Sequence, residues 1–175
     1  MLKSINTLSD CEIKVDNVTY PLIHVDTTTL DQRTVKDKNG VNQKNEAGVY
    51  IFVLNNDYDD FQLSDFQSEV TGIFFKGGCP YTKTFGTPQF NNEKLRKDCI
   101  FYVGTAGNIL SRIKEHWKSS EINGCVSLKL GFETRSKIKD FLDLYLILDS
   151  VISSQNSRQS VEKDIRKNYG SVFGE

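Results

Sequence analysis

Two short apolar runs constrain the fold of this chain more than any other feature. Gly48–Leu54 reads G-V-Y-I-F-V-L, and Cys99–Gly104 reads C-I-F-Y-V-G. Both are nearly all apolar and rich in β-branched and aromatic residues, which is typical of strands buried on both faces. The length of 175 residues is that of one domain with a sizeable core. We therefore expect a single domain, 1–175, built on a small sheet that helices flank.

A helix is predicted directly after the second run. Thr105–Gly107 turns the chain, and Asn108 can cap the helix N-terminus. Arg112 and His116 follow Asn108 at intervals of four residues and form a polar stripe with it. The apolar residues of this helix share one arc that should face the core, and they are Ile109, Leu110, Ile113 and Trp117.

The N-terminal part, 1–45, is predicted to be a hairpin followed by a loop. The β-prone runs C-E-I-K-V and T-Y-P-L-I-H-V are separated by Asp16 and Asn17, which favour a turn. The segment Thr27–Glu46 is polar and contains Asn39-Gly40, so it is predicted to be a loop. Residues 55–98 form a long insert between the two apolar runs. Its Gly-, Pro- and Thr-rich part is of a kind that is usually functional or mobile.

Two further elements are predicted near the C-terminus. Phe141–Asp149 could be a helix, but its nine residues are aromatic and rich in Leu and Ile, which favours a strand. Beyond it, Val161, Ile165 and Tyr169 recur every four residues and Gly170 follows, which predicts an amphipathic helix that ends at a glycine. The expected order is therefore strand, insert, strand, helix, strand, helix.

The charge is unevenly distributed. The net charge of −1 by itself argues against nucleic-acid binding. Asp10–Val70, however, has twelve acidic and five basic residues. Lys76–Asp98 has two acidic and five basic residues, and Gly104–Lys139 has three acidic and seven basic residues. The middle of the chain is thus basic, as a localised polyanion-binding face requires. A solvated surface of mixed charge explains the same counts equally well.

The cysteines and the hydropathy limit the protein class. The four cysteines are widely spaced, with no C-x-x-C pair, and there are only two histidines. A structural zinc site and a secreted disulfide framework are therefore not expected. The sequence has neither an apolar run of about 18–20 residues nor a secretory signal pattern at its start. These features predict a cytoplasmic protein with reduced thiols.

The two apolar runs and the helix after them resemble the GIY-YIG nuclease superfamily. The two tripeptides that name the family correspond here to Gly48-Val49-Tyr50 and Tyr102-Val103-Gly104. In the family the second tripeptide leads into a helix with an arginine, here Arg112, and in restriction-type members a histidine follows, here His116. The family's metal-binding glutamate opens a later helix, with an apolar residue at +3 and aromatic residues at +7 and +11. Glu162 matches, with Ile165, Tyr169 and Phe173 at those positions.

The resemblance implies an α/β (α+β) fold with about three core strands, and a metal-dependent endonuclease of restriction or mobile-element type. Glu162 would bind one Mg²⁺ or Mn²⁺ ion with several waters, and Arg112 would contact phosphate oxygens. Tyr50 would be the general base, with its phenol pKa lowered by the metal and the nearby cation. Tyr102 would orient the phosphate or the water, and His116 would share the base role or bind the phosphate. All of these side chains should converge on one concave, basic surface.

Double-stranded DNA is the expected partner. Lysines and arginines in the basic part of the chain are candidates for phosphate contacts that position DNA, namely Lys76, Lys83, Lys114, Arg135, Lys137 and Lys139. The insert segment with Tyr81, Lys83, Thr84 and Phe85 is a candidate for contacts in a groove. Cleavage of both strands would need a homodimer or two successive nicks. A restriction-type enzyme would also need a restraint such as a cognate methyltransferase.

Three alternatives stay open at this point. Asp143 could hold the metal if Phe141–Asp149 were a helix. The chain could be a catalytically silent nucleic-acid-binding module on the same fold. It could also be an unrelated α+β protein with accidental matches, in which case Glu162 could lie on the far side of the sheet from the tyrosines.

Overall fold

The fold belongs to the α+β class. The computed structural model describes residues 3, 5–56, 97–118, 128, 130, 139–152 and 156–171. The helices and strands of this part are β1 (Glu12–Val15), β2 (Val18–Pro21), β3 (Ile23–Val25), β4 (Gly48–Leu54), β5 (Ile100–Ala106), α1 (Ile109–Lys118), β6 (Leu142–Leu148) and α2 (Arg158–Tyr169). Short 3₁₀ turns lie at Leu8–Asp10, Thr27–Thr29 and Asp149–Val151.

The described strands form two antiparallel sheets. β1 and β2 make the predicted N-terminal hairpin, with Val15 opposite Val18 across the Asp16-Asn17 turn. The larger sheet has the order β3-β6-β4-β5, so β4 and β6 are central. It therefore contains four strands and not about three. The additional strand arises because the run Thr19–Val25 divides after Pro21, and its second half pairs with β6.

Both faces of the larger sheet are covered. On one face, Tyr50, Phe52 and Leu54 of β4 pack with the apolar residues of α1. On the other face, Val49, Ile51 and Val53 pack with α2 and the N-terminal hairpin. Every residue of β4 is consequently buried, as the composition of Gly48–Leu54 predicts.

The remaining element predictions agree with the structure, with small differences at the ends. The ambiguous segment Phe141–Asp149 is a strand, β6, which pairs along its whole length with β4. The helix predicted before Gly170 is α2, and Gly170 has a φ of 72° and donates its N–H to the carbonyl of Arg166 at 2.7 Å. β5 continues to Ala106, into the predicted turn. In the described part, no helix is long and apolar enough to cross a membrane.

Candidate functional site

The pairing of β4 with β5 brings the two tyrosines of the tripeptides together. Tyr50 lies opposite Gly104 and Phe52 lies opposite Tyr102, so both phenols project from the same face of the sheet. Their ring centroids are 6.0 Å apart. Tyr50 is 1 % exposed and Tyr102 is 8 % exposed. The strand register alone therefore accounts for the juxtaposition of these side chains.

The glycines of both tripeptides allow close approach. A Cβ atom on Gly104 would lie 2.5 Å from the phenol oxygen of Tyr50 and 2.7 Å from its Cζ atom. A Cβ atom on Gly48 would clash with the main-chain carbonyl of Ile147 in β6. The Tyr50 ring can cross β5 only because position 104 has no side chain.

His116 lies beneath the tyrosines and is completely buried. Its Nε2 atom is 2.8 Å from the phenol oxygen of Tyr50. Its Nδ1 atom accepts a hydrogen bond from the main-chain N–H of Leu128 at 2.7 Å. The expected convergence of His116 with Tyr50 is thus observed, but in the buried interior and not on a concave surface.

The hydrogen bond from Leu128 determines which ring nitrogen of His116 carries the proton. A main-chain N–H can only donate, so Nδ1 of His116 is the acceptor and carries no proton. In the neutral ring the proton is then on Nε2, which donates to Tyr50. His116 thus contacts Tyr50 through a donated hydrogen bond, and its burial keeps it from a phosphate. The expected share in the base role does not fit this geometry either, because the unprotonated Nδ1 is occupied by Leu128 and Nε2 already carries the proton.

Burial dominates the electrostatics of Tyr50. It raises the pKa of the phenol well above its ordinary value, and the charge of an ionised Tyr102 raises it further. Arg112 opposes this rise through its charge and a hydrogen bond. The nearby cation therefore has the expected direction of effect, but desolvation outweighs it and the net shift of the Tyr50 pKa is upward.

Arg112, on α1, lies beside Tyr50 and forms an ion pair with Glu115 of the same helix. Its Nη1 atom is 2.7 Å from Oε2 of Glu115. The side chains of Arg112 and Glu115 are 22 % and 42 % exposed. A pair with this exposure is weak, so Arg112 can exchange Glu115 for another anion at small cost.

Glu162 lies near the β5 edge of the sheet, on a helix that packs against the face opposite to the tyrosines. Val161 and Ile165 of α2 pack on the face opposite to the tyrosines. Glu162, by contrast, is near enough to Tyr102 for its charge to raise the pKa of that phenol. The Oε1 atom of Glu162 is 2.6 Å from Nη2 of Arg166, which also donates to the carbonyl of Val103 in β5 at 2.9 Å. The carboxylate is therefore at the β5 edge of the sheet.

Tyr102 connects the two halves of the site. Burial raises its pKa, while its hydrogen bond with Tyr50 and the charge of Arg166 lower it. Arg112 also contributes to lowering the pKa of Tyr102. Tyr102, Arg112 and His116 thus lie close to Tyr50, whereas Glu162 is related to this group through the effect of its charge on Tyr102.

The metal site implied by the resemblance would have Glu162 as its carboxylate, in a pocket that Lys163, Arg166 and Lys167 also line. The described residues contain no group of three or more His, Cys, Asp or Glu side chains that could form a protein cage for a metal. A single carboxylate with several waters is, however, a usual environment for Mg²⁺. The Glu162 side chain is 18 % exposed, so such an ion can reach it.

Asp143 lies away from the tyrosines. Asp143, in β6, lies opposite Val53 of β4. Because Val53 projects from the face opposite to Tyr50, Asp143 does so too. Its Oδ1 atom is 3.4 Å from Nε2 of His24. Because Phe141–Asp149 is a strand, the alternative in which Asp143 holds the metal from a helix is wrong.

Two of the candidate DNA-contacting lysines are described, and both make contacts within the chain. Lys114 donates to the carbonyls of Gln32 at 2.9 Å and Arg33 at 3.5 Å. The Nζ atom of Lys139 is 5.0 Å from the centre of the Trp117 ring. Lys76, Lys83, Arg135 and Lys137 lie outside the described residues, as do the insert residues Tyr81, Thr84 and Phe85.

Two site residues were not identified from the sequence. Asn45 caps α1, since its Oδ1 atom accepts from the N–H groups of Leu110 at 3.0 Å and Ser111 at 3.3 Å. This function was expected of Asn108, and the contact between Asn45 and the helix spans 65 residues. Arg166 was the other omission, although the Glu162–Arg166 spacing of four residues is the usual sequence signal for a helical ion pair.

Comparison with known proteins adds no assignment to this geometry. No family model matches the chain, and no curated protein and no solved structure matches it. The site is therefore interpreted from its own residues.

Proposed function

We propose that the chain is a metal-dependent endonuclease that hydrolyses DNA phosphodiester bonds. The observation that carries the proposal is the contact of His116 with the buried phenol of Tyr50, beside Tyr102 and Arg112, with Glu162 at the edge of the same strand pair. Two phenols, an imidazole, a guanidinium and a carboxylate in one site have the acid–base and phosphate-binding groups that this reaction needs.

Each side chain has a role that follows from its contacts. The Nε2–H of His116 and the guanidinium of Arg112 both stabilise the phenolate of Tyr50 more than the phenol, so they favour its action as a base. Arg112 can exchange Glu115 for a phosphate oxygen. Tyr102, with more exposed surface than Tyr50, orients the phosphate. A divalent ion at Glu162 would activate water and stabilise the leaving oxygen.

The proposal extends to a restriction-type enzyme that acts on specific sequences in double-stranded DNA. One site of this kind cuts one phosphodiester bond, so cleavage of both strands requires a homodimer or two nicks. A cognate methyltransferase would protect the host DNA from such an enzyme.

Cleavage of plasmid and oligonucleotide DNA with Mg²⁺ or Mn²⁺ tests the proposal, with Glu162→Gln as the inactivating variant and Glu115→Gln as its matched control. Both glutamates pair with an arginine of their own helix, but only Glu162 is proposed to bind metal. We expect discrete fragments from the wild type and from Glu115→Gln, and none from Glu162→Gln.

Two results would contradict the proposal in different ways. Cleavage by Glu162→Gln at the wild-type rate would remove Glu162 as the metal ligand. Failure of the wild type to cut any DNA or RNA, together with a shift of DNA in a gel, would favour the silent binding module.

A further inference from the structure

Arg166 forms an ion pair with Glu162, the proposed metal ligand. Its Nη2 atom is 2.6 Å from Oε1 of Glu162 and 2.9 Å from the carbonyl oxygen of Val103. The side chains of Arg166 and Glu162 are 22 % and 18 % exposed. The guanidinium is therefore held between α2 and β5, with the carboxylate on one of its donors.

A comparison with α1 shows what is particular to this pair. Each helix supplies one arginine–glutamate pair, Arg112–Glu115 and Arg166–Glu162. Arg112 lowers the pKa of both tyrosines, and Arg166 lowers that of Tyr102. Glu115, however, is 42 % exposed, whereas Glu162 is largely enclosed and its arginine is anchored to the sheet. The Glu162 carboxylate is thus the more firmly held of the two.

We propose that Arg166 is a positioning residue that competes with the divalent ion for Glu162. It holds the carboxylate at the β5 edge while no ion is bound, and it releases the carboxylate oxygen when the ion binds. This inference rests on the proposed function, in which Glu162 is the metal ligand. The physical reason is that the guanidinium occupies a ligand oxygen and its positive charge repels a second cation at the same place. Once released, its donors are available to a phosphate oxygen.

Direct measurement of Mn²⁺ binding tests this competition without using cleavage. Free Mn²⁺ is measured by electron paramagnetic resonance on the full chain, for the wild type, Arg166→Gln, Arg166→Lys and Glu162→Gln. Glutamine keeps a donor for the Val103 carbonyl but has no charge, whereas lysine keeps the charge. Because the pair is partly exposed, we expect Arg166→Gln to bind Mn²⁺ roughly two- to tenfold more tightly than the wild type. Arg166→Lys should bind as the wild type does, and Glu162→Gln should lose the site.

The possible failures of the two proposals are distinguishable. If Glu162→Gln binds Mn²⁺ as the wild type does, Glu162 is not the ligand and the metal part of the proposed function fails. If Glu162→Gln loses binding while Arg166→Gln binds equally or more weakly, the ligand stands and the competition is overturned.

A measurement on the wild-type protein covers the case in which Arg166→Gln does not fold. The ¹⁵Nε resonance of Arg166, assigned with Arg166→Lys, is followed as Mg²⁺ is added. Release of the carboxylate should shift it, with the same midpoint as Mg²⁺ binding. A resonance that stays in place while the ion binds would overturn the inference.

Discussion

The Nε2 atom of His116 lies 2.8 Å from the phenol oxygen of Tyr50, and both residues are buried. The main-chain N–H of Leu128 on the other ring nitrogen makes His116 the donor in this contact. A base in a buried site needs a group that stabilises its charged form. In the proposed function, in which Tyr50 is the base, His116 supplies this stabilisation and is itself shielded from water.

We expect Tyr50→Phe to destabilise the fold as well as to abolish cleavage. Removal of the hydroxyl deprives a buried Nε2–H group of this acceptor, which costs about 1–3 kcal/mol. The double variant Tyr50→Phe/His116→Leu should be less destabilised than the sum of the single variants, because they remove the same hydrogen bond. Urea unfolding measures all three. Strictly additive costs would show that the contact contributes nothing to stability.

Gly104→Ala should displace Tyr50. The added Cβ would lie 2.5 Å from the phenol oxygen, and overpacking of this kind typically costs about 1–3 kcal/mol. Gly107→Ala is the matched control, since the nearest side-chain atom to a Cβ there is 4.0 Å away, on Arg158. Thermal unfolding and cleavage are to be compared. Equal behaviour of the two variants would contradict the described packing of Tyr50.

Asn45→Ala should loosen the N-terminal end of α1, the helix that carries Arg112 and His116. The substitution removes the acceptor for the N–H groups of Leu110 and Ser111, and loss of a cap costs about 1 kcal/mol. Asn45→Asp keeps the acceptor and should retain most of the stability. The free energy of unfolding by urea checks both. A loss in Asn45→Asp as large as in Asn45→Ala would instead indicate that the hydrogen bond from the Asn45 Nδ2 atom to the Ser111 hydroxyl is the important contact.

The contact between His24 and Asp143 should make part of the stability dependent on pH. The His24 imidazole, whose Nε2 atom is 3.4 Å from Oδ1 of Asp143, lowers the pKa of that carboxyl and outweighs the opposing effect of burial. Since the folded-state pKa is the lower one, the stabilisation is present above the unfolded value of about 3.9 and is lost as the pH falls through the folded-state value.

Asp143→Asn tests this dependence. At about pH 5.5, where the carboxyl is ionised in both the folded and the unfolded state, we expect the variant to be less stable than the wild type by up to about 1 kcal/mol. The difference should vanish at a pH below the folded-state value. Asp140→Asn, at an exposed position whose main-chain carbonyl makes the bond with Asn55, should show no such convergence. A difference for Asp143→Asn that stays constant with pH would exclude the carboxylate as its cause.

Most of the described strands and helices could be predicted from the sequence because their signals are local. Gly48–Leu54 is apolar throughout and forms a strand buried on both faces. Val161 and Ile165 recur at the helical interval and are buried in α2. Gly170 follows that helix with the positive φ that glycine tolerates.

Contacts between distant segments could not be predicted in this way. The resemblance placed His116 in one site with Tyr50, 66 residues away, but its position on a polar stripe gave no sign that it would be completely buried. Asn45 caps α1 although it lies before β4, whereas α1 follows β5. Thr19–Val25 divides into β2 and β3 because Ile23 and His24 pair with β6, a strand that is distant in sequence.

The hydrogen bonds between Leu54 and the start of β5 have a further consequence. The N–H of Leu54 donates to the carbonyl of Cys99 at 3.0 Å, and the N–H of Asp98 donates to the carbonyl of Leu54 at 2.8 Å. The chain between them therefore leaves and rejoins the sheet at adjacent points. The entropy cost of closing such a loop grows only logarithmically with its length, by about 0.6 kcal/mol for each doubling. Evolution can thus lengthen, shorten or exchange this segment while the tyrosines on the paired strands keep their places.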